Sequence, residues 1–204
     1  MSEPLQSHLA LTMATGHTVD FHALLQQGFN VQAQLGCSLQ ELLCSQWGMD
    51  PDYVNTRITT IFMNSRATDN IATAIVREGA VIALSGAMPG LVGATMRRGG
   101  YYAAMRGAMT YRADTVEPEN ESAEVRVKLF NLLLPELGPA FLKRGVSVSA
   151  AQLGAFFRAR DAEFWKGCRR IQRNGVAISA IDANKLCEDQ DAARKIGLSV
   201  AFEG

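Results

Sequence analysis

Hydrophobic and polar residues alternate along two neighbouring segments near the start of the chain. The apolar positions of these segments are Val19, Phe21, Ala23 and Leu25, and then Phe29, Val31, Ala33 and Leu35. A period of two places every second side chain on one face of a strand, and Gly28 lies between the two runs. The pattern therefore predicts a β-hairpin over residues 19–35.

A short helix and two more strands follow this predicted hairpin. Ser38 and Glu41 have the spacing of a capping box, in which each residue's side chain satisfies the other's backbone N–H, so a helix is expected to begin after Ser38. The β-branched and aromatic residues at 57–63 predict a strand, and residues 80–84, entered through Gly79, predict another. The predicted order is hairpin, helix, strand, strand.

Three short motifs strengthen this interpretation. They are Ser-Leu-Gln-Glu-Leu-Leu at residues 38–43, Ile-Phe-Met-Asn-Ser at residues 61–65, and Arg-Glu-Gly at residues 77–79 before the last strand. In these motifs and in element order, residues 18–100 resemble the ubiquitin-like β-grasp family, and within it the small sulfur carriers of molybdopterin and thiamine synthesis. The resemblance implies a β-grasp-like module in the N-terminal half of the chain.

The resemblance also draws attention to Gly99 and Gly100, which follow Arg97 and Arg98. Sulfur carriers and ubiquitin-like modifiers react at the carboxylate of a C-terminal Gly-Gly. Here the chain continues beyond Gly100, so the resemblance implies a modifier or sulfur carrier only if a protease cuts after that residue. The other interpretation is that the two glycines form a turn.

The C-terminal half carries a different pattern of elements. Residues 125–130 predict a strand, and a second capping box, Ser149 with Gln152, predicts a long helix over about residues 150–172. Residues 176–179 and 198–202 predict two more strands. The fold class expected is therefore α+β, with a β-grasp-like N-terminal module followed by a small C-terminal α/β module.

Charge blocks set the expected domain boundaries. Residues 97–113 carry four arginines and no acid, whereas residues 114–125 carry five acids and no base. We expect a flexible arm at residues 1–16, the β-grasp-like module with a Gly/Met/Arg/Tyr extension at 17–113, an acidic connector at 114–124, and the C-terminal module at 125–204.

Composition restricts the class of protein. The chain is 48% hydrophobic and 20% charged with zero net charge, and it shows neither a secretory signal nor an apolar run long enough to cross a bilayer. Its four cysteines form no Cys-x-x-Cys pair and have no histidine at metal-ligand spacing. We expect a cytoplasmic protein with reduced thiols, no metal site, no cofactor and no membrane contact.

The segment 87–111 is the candidate binding surface because it combines apolar side chains, guanidinium groups and tyrosine rings. Its candidate residues are Met88, Leu91, Arg97, Arg98, Tyr101, Tyr102 and Arg106. An exposed apolar patch would dock on a protein partner or on another copy of the chain. Arginines beside tyrosines would also suit a nucleic acid or a nucleotide. Alternatively, the arginines pair with the acidic connector.

Residues for catalysis are scarce. The chain has three histidines and no Ser-His-Asp, Cys-His or His-Glu-x-x-His pattern. His17 and His22 flank Asp20, but on a strand Asp20 and His22 would share one face and His17 would take the other. The sequence therefore favours a non-catalytic binding or scaffold module over an enzyme.

Overall fold

A computed structural model describes residues 7–111, 121–186 and 193–204. The chain divides into two compact units. One consists of Met1–Asn30 with Leu134–Gly204, and the other of Val31–Leu133. This division differs from the expected boundaries because the two ends of the chain contribute to the same unit. Of the expected acidic connector, residues 114–120 lie outside the described residues, and a strand begins at Ser122.

The first unit contains strands and helices from both ends of the chain. From the N-terminal end come β1 (His8–Ala14), a 3₁₀ segment (Thr15–Phe21), α1 (His22–Gln27) and the first residues of β2 (Phe29–Gln34). From the C-terminal end come α5 (Leu133–Arg144), β7 (Val146–Ser149), α6 (Ala150–Arg158), α7 (Ala162–Gly167), β8 (Cys168–Arg173), β9 (Val176–Ala177), α8 (Ala180–Leu186) and β10 (Lys195–Glu203).

Strand β1 occupies part of the segment where a flexible arm was expected. Its side chains alternate, and Leu9, Leu11 and Met13 are buried. It pairs in parallel with β10, with Leu9 opposite Leu198, and antiparallel with β8. Hydrogen bonds on both edges and a buried apolar face explain why these residues are ordered.

The prediction that the hairpin's first strand covers residues 19–25 is wrong, because residues 15–27 are helical. The buried residues are Phe21, Leu24 and Leu25, which follow the i, i+3, i+4 spacing of one helix face, whereas Val19 is 60% exposed. By hydrophobicity alone, the apolar positions of residues 19–25 fit both the two-residue period of a strand and the 3.6-residue period of a helix. The second strand of the hairpin is confirmed as β2.

The predicted long helix over residues 150–172 is interrupted. Helix α6 begins at the predicted cap, where the Ser149 hydroxyl accepts a hydrogen bond from the Gln152 N–H. It ends at Arg158, and Asp161 caps a new helix, α7, by accepting from the Phe164 N–H at 2.9 Å. The last five residues of the predicted helix belong to strand β8, which pairs with β1.

The second unit contains the segment that carries the candidate surface. Its elements are the remainder of β2, α2 (Leu39–Glu41) continuing as one π-helical turn (Leu42–Gln46), α3 (Pro51–Thr56), β3 (Thr60–Met63), β4 (Arg66–Ala67), β5 (Val81–Ser85), α4 (Gly90–Met96), a 3₁₀ segment (Tyr101–Met109) and β6 (Ser122–Phe130).

Most elements predicted in this unit are confirmed. The capping box at Ser38 is complete: the Glu41 N–H donates to the Ser38 hydroxyl, and the Ser38 N–H donates to the Glu41 carboxylate at 2.8 Å. The strand order is β4-β3-β5-β6-β2. Strand β5 lies between β3, which is antiparallel to it, and β6, which is parallel to it. Ile61, Ile82 and Val127 point from these strands into the core.

The structure confirms that the chain is a mixture of helices and strands with both parallel and antiparallel pairing. The β-grasp assignment is not confirmed, because the hairpin that should open it has a helix in place of its first strand. In the parts of the chain that are described, no helix has both the length and the apolar character needed to cross a bilayer.

Candidate binding surface

The candidate segment forms two short helical elements of the second unit, α4 and the 3₁₀ segment, which pack against each other. Pro89 precedes α4, and Gly90, with φ of +75°, makes a turn that a residue with a side chain rarely adopts. Gly93 allows the helix to approach the preceding loop, because a Cβ at this position would overlap the carbonyl oxygen of Met88. Glycine is therefore favoured at position 90 by its backbone conformation and required at position 93 by the lack of space.

These two elements expose large apolar side chains. Six of the ten large hydrophobic residues that are exposed in the described part of the chain lie between residues 91 and 109. We call this set the α4–3₁₀ surface; its members are Leu91, Val92, Tyr101, Tyr102, Met105 and Met109. Such a concentration is unusual, since scattered single exposures are the norm on soluble proteins.

The tyrosines of this surface stand at the start of the 3₁₀ segment. Tyr101 is 92% exposed and Tyr102 is 42% exposed. Their rings make an edge-to-face contact with centroids 5.1 Å apart and planes at 89°. Tyrosine gives a large contact area while losing little rotamer freedom, so an exposed pair of this kind suits a protein contact.

Arg106, predicted as a surface residue, lies in the interior. Its side chain is fully buried, and Nη2 donates to the Asp69 carboxylate at 2.8 Å and to the carbonyl of Arg97 at 3.1 Å. Asp69 also accepts the Gly99 N–H at 3.1 Å. The guanidinium thus fixes the turn between α4 and the 3₁₀ segment and does not face solvent.

Arg98 is also turned inward. Its Nη1 donates to the carbonyls of Val54 at 3.1 Å and Ile58 at 3.3 Å, and its backbone N–H donates to the carbonyl of Thr59 at 2.8 Å. Burial lowers the pKa of Arg98 from its ordinary value because the charged form loses hydration.

Arg97, by contrast, is exposed. A pocket of about 500 Å³ opens beside Arg97 and Arg98, and Asp69 lines it as well.

Gly99 and Gly100 form the turn between α4 and the 3₁₀ segment. Gly99 has φ of +57°, and the N–H of Gly100 donates to the Arg97 carbonyl at 3.2 Å. The left-handed backbone at Gly99 explains the residue type without reference to a C-terminal tail. Met88, the remaining candidate, is half-buried beside strand β5.

Comparison with models of known protein families, with curated proteins and with solved structures finds no match to this chain. A function must therefore be inferred from the geometry of the chain itself.

Groups suited to catalysis are weakly organised. In the 3₁₀ segment at residues 15–21, His17 Nδ1 lies 2.8 Å from the Asp20 carboxylate, because an i, i+3 pair shares one side of such a helix. The strand-based expectation that His17 and Asp20 point apart is therefore wrong.

Burial raises the pKa values of the Cys37, Cys44 and Cys168 thiols, which disfavours the nucleophilic thiolate. Over residues 7–111, 121–186 and 193–204, no group of three or more His, Cys, Asp or Glu side chains could hold a metal ion.

Val92, Met105 and Met109 lie inside the predicted segment 87–111 but were not among its singled-out residues, and all three are exposed. Asp69, which holds the turn beside them, was missed by reasoning from the sequence. Asp69 had no signal, because its contacts lie about 30 residues away in the sequence.

Proposed function

We propose that this chain is a non-catalytic protein-binding module and that the α4–3₁₀ surface is its contact surface. The observation that carries the proposal is the concentration of large exposed apolar side chains on two helical elements that pack together. Leu91 is 68% exposed and Met105 is 69% exposed, so burying them against a partner would remove apolar area from water. Exposed aromatic and methionine side chains are enriched at such interfaces.

Charge indicates the kind of partner. Residues 79–111 contain no acid, and Arg97 is exposed beside the apolar set. A second copy of the chain would bring like charges together at the edge of the contact. A different protein that presents an apolar segment flanked by carboxylates would complement the surface. We therefore propose a heterologous partner of that chemistry.

The alternatives receive less support from the geometry. Nucleic-acid or nucleotide binding through the arginines would need several outward guanidinium groups, yet Arg98 and Arg106 donate to protein atoms, and Asp69 lines the pocket beside Arg97. A sulfur carrier or modifier would need a flexible Gly-Gly tail, whereas the Gly99 N–H is bonded to Asp69.

The test compares aspartate substitutions at two equally exposed sites. Leu91 is 68% exposed on the proposed surface, and Ile181 is 67% exposed on α8 of the other unit. Each chain is purified from its native cells, and the amount of co-purifying partner per chain is measured. We expect a partner in fixed ratio with the wild type and with Ile181→Asp, and at least ten times less of it with Leu91→Asp. The unfolding free energy of both variants should stay within about 0.5 kcal/mol of wild type.

Equal retention of the partner by Leu91→Asp and Ile181→Asp would contradict the proposed surface. A partner that is a second copy of this chain, seen as a dimer lost only in Leu91→Asp, would contradict the heterologous partner. Raising the salt concentration should weaken a complex with an acidic partner, because the screening length falls.

A further inference from the structure

The sheet of the second unit has an apolar patch on the face opposite its core. Along β5, Ile82 and Leu84 are fully buried, whereas Val81 and Ala83 alternate with them and are half-exposed. On the neighbouring strands Phe62 and Phe130 are likewise half-exposed. A solvent-facing side of a sheet is ordinarily polar, so this composition requires an explanation.

The register of the strands makes this patch concave. Ala83 on the middle strand lies opposite Phe62 on one side and Lys128 on the other. A small side chain between two long ones forms a hollow, with Ala83 as its floor. Phe130 stands diagonally across from Ala83, opposite Ser85. The resulting groove holds about 420 Å³. We call it the Ala83 groove; its main walls are Phe62, Val81, Met88, Lys128 and Phe130.

One end of the groove is held in place by hydrogen bonds. The Asn131 amide donates to the Ser85 hydroxyl at 3.1 Å and to the carbonyl of Ala87. These bonds fix the loop that carries Met88 over the end of β5. The protein's own hydrogen bonds therefore hold this end of the groove in place, as is typical of small-molecule sites, which are usually largely pre-formed.

The charge of the groove indicates what it would bind. Among the described residues that line the groove, Lys128 is the only one with a charged side chain. Across the described residues, no carboxylate lies within ion-pair distance of the Lys128 ammonium group. An apolar channel with one unpaired cation at its wall complements an apolar molecule that carries one negative charge. Neutral or cationic molecules of the same shape would leave the ammonium unpaired or repel it.

We propose that the Ala83 groove binds a small carboxylate with an apolar body. The body would lie over Ala83 between Phe62 and Phe130, and the carboxylate would pair with the ammonium group of Lys128. This site is separate from the α4–3₁₀ surface, and it does not depend on the proposed protein partner.

The test uses three eight-carbon probes that differ only in the head group: octanoate, 1-octanol and octylamine. Each is titrated into the full chain below its aggregation limit, and the shifts of backbone amide resonances are followed. We expect saturable shifts centred on β5 and β6, with octanoate binding about fivefold tighter than 1-octanol and octylamine binding weakest.

Substitutions at two positions separate the contribution of the groove's shape from that of its charge. Ala83→Leu fills the floor of the groove and should weaken both octanoate and 1-octanol at least tenfold; Ala83→Val repeats the test with a smaller side chain that suits a strand. Lys128→Met should reduce octanoate affinity to that of 1-octanol and leave 1-octanol unchanged. Lys143→Met, an exposed lysine of the other unit, is the matched control and should change neither.

Equal affinity for octanoate and octylamine in the wild type would overturn the proposed ligand class. Octanoate binding that survives both substitutions of Ala83, or shifts that do not saturate, would overturn the site itself. Neither result would affect the partner lost in Leu91→Asp, so the two proposals fail independently.

Discussion

Asp69 shows how one carboxylate can fix a turn that the neighbouring sequence does not determine. It accepts hydrogen bonds from the buried guanidinium of Arg106 and from the N–H of Gly99. The Nε and Nη1 atoms of Arg106 have no hydrogen-bond partner in the described residues, so Asp69 supplies the main compensation for this buried charge. Removing one partner of such a pair lowers the free energy of unfolding by more than the intact pair contributes to it, because the remaining charge is left buried and unpaired.

We therefore expect Asp69→Asn to lower the free energy of unfolding by about 2 kcal/mol, a value reduced from the range for fully buried pairs because Asp69 is 36% exposed. Urea unfolding followed by circular dichroism measures it. Asp52→Asn, on the exposed first turn of α3, is the control and should cost less than about 0.5 kcal/mol. A cost for Asp69→Asn no larger than that of the control would refute the anchoring role.

The capping box at Ser38 makes a pH-dependent contribution. The backbone N–H of Ser38, and then its hydroxyl, donate to the Glu41 carboxylate and lower its pKa below the ordinary value. A carboxylate whose pKa is lower in the folded state stabilises that state above its unfolded pKa of about 4.3. The contribution is lost as the pH falls through the lowered value in the folded state.

The difference in unfolding free energy between wild type and Glu41→Gln should therefore be greatest near neutral pH and shrink as the pH falls below about 4. Urea titrations at several pH values measure this difference. The exposed Glu163→Gln substitution provides the comparison, since the Glu163 carboxylate pairs with Lys166 on the surface. A Glu41 difference that stays constant from neutral pH to pH 3 would contradict the assignment.

At the scale of elements, the position of α4 depends on Gly93. A methyl group at this position would overlap the carbonyl oxygen of Met88, which is backbone and cannot rotate away. We expect Gly93→Ala to destabilise the protein by about 2 kcal/mol, although alanine normally favours a helix over glycine. Thermal or urea unfolding provides the value.

Gly16→Ala is the matched control for this substitution, because a Cβ there meets open space. It should change stability by less than about 0.5 kcal/mol. If Gly93→Ala were as stable as wild type, α4 would not be packed against the loop as described.

Sequence patterns determine some elements better than others. The helix after Ser38 could be predicted because its cap is a local interaction between residues three apart. Strand β1, in the segment where a flexible arm is expected, also carries a local signal, since Leu9, Leu11 and Met13 alternate with less buried residues. Residues 19–25 could not be assigned from hydrophobicity alone, because their apolar positions fit a strand and a helix equally.

Some features of the candidate surface could likewise be predicted from the local sequence, and others could not. The exposure of Leu91 could be anticipated from an apolar run flanked by glycines. The inward course of Arg98 and Arg106 could not, because it depends on acceptors at Val54, Ile58 and Asp69, between 37 and 44 residues distant in the sequence. The Ala83 groove required the register of three strands, which no local pattern provides.

At the scale of the whole molecule, the central claim is that α4 and the 3₁₀ segment meet another protein in the cell. Of the exposed apolar residues outside this surface in the described part of the chain, Ile181 and Val176 match Leu91 most nearly in exposure, and Ile181 lies on a helix, as Leu91 does. A photo-reactive amino acid introduced at Leu91, and separately at Ile181, samples what lies within contact distance of each position.

The most direct measurement is the mass of the covalent adducts formed when native cells carrying these chains are irradiated. We predict one discrete adduct at Leu91, with a protein that contributes an acidic, apolar peptide to the cross-link, and no such adduct at Ile181. The same adducts at both positions, or none at Leu91, would contradict the claim that the α4–3₁₀ surface is a protein-binding site.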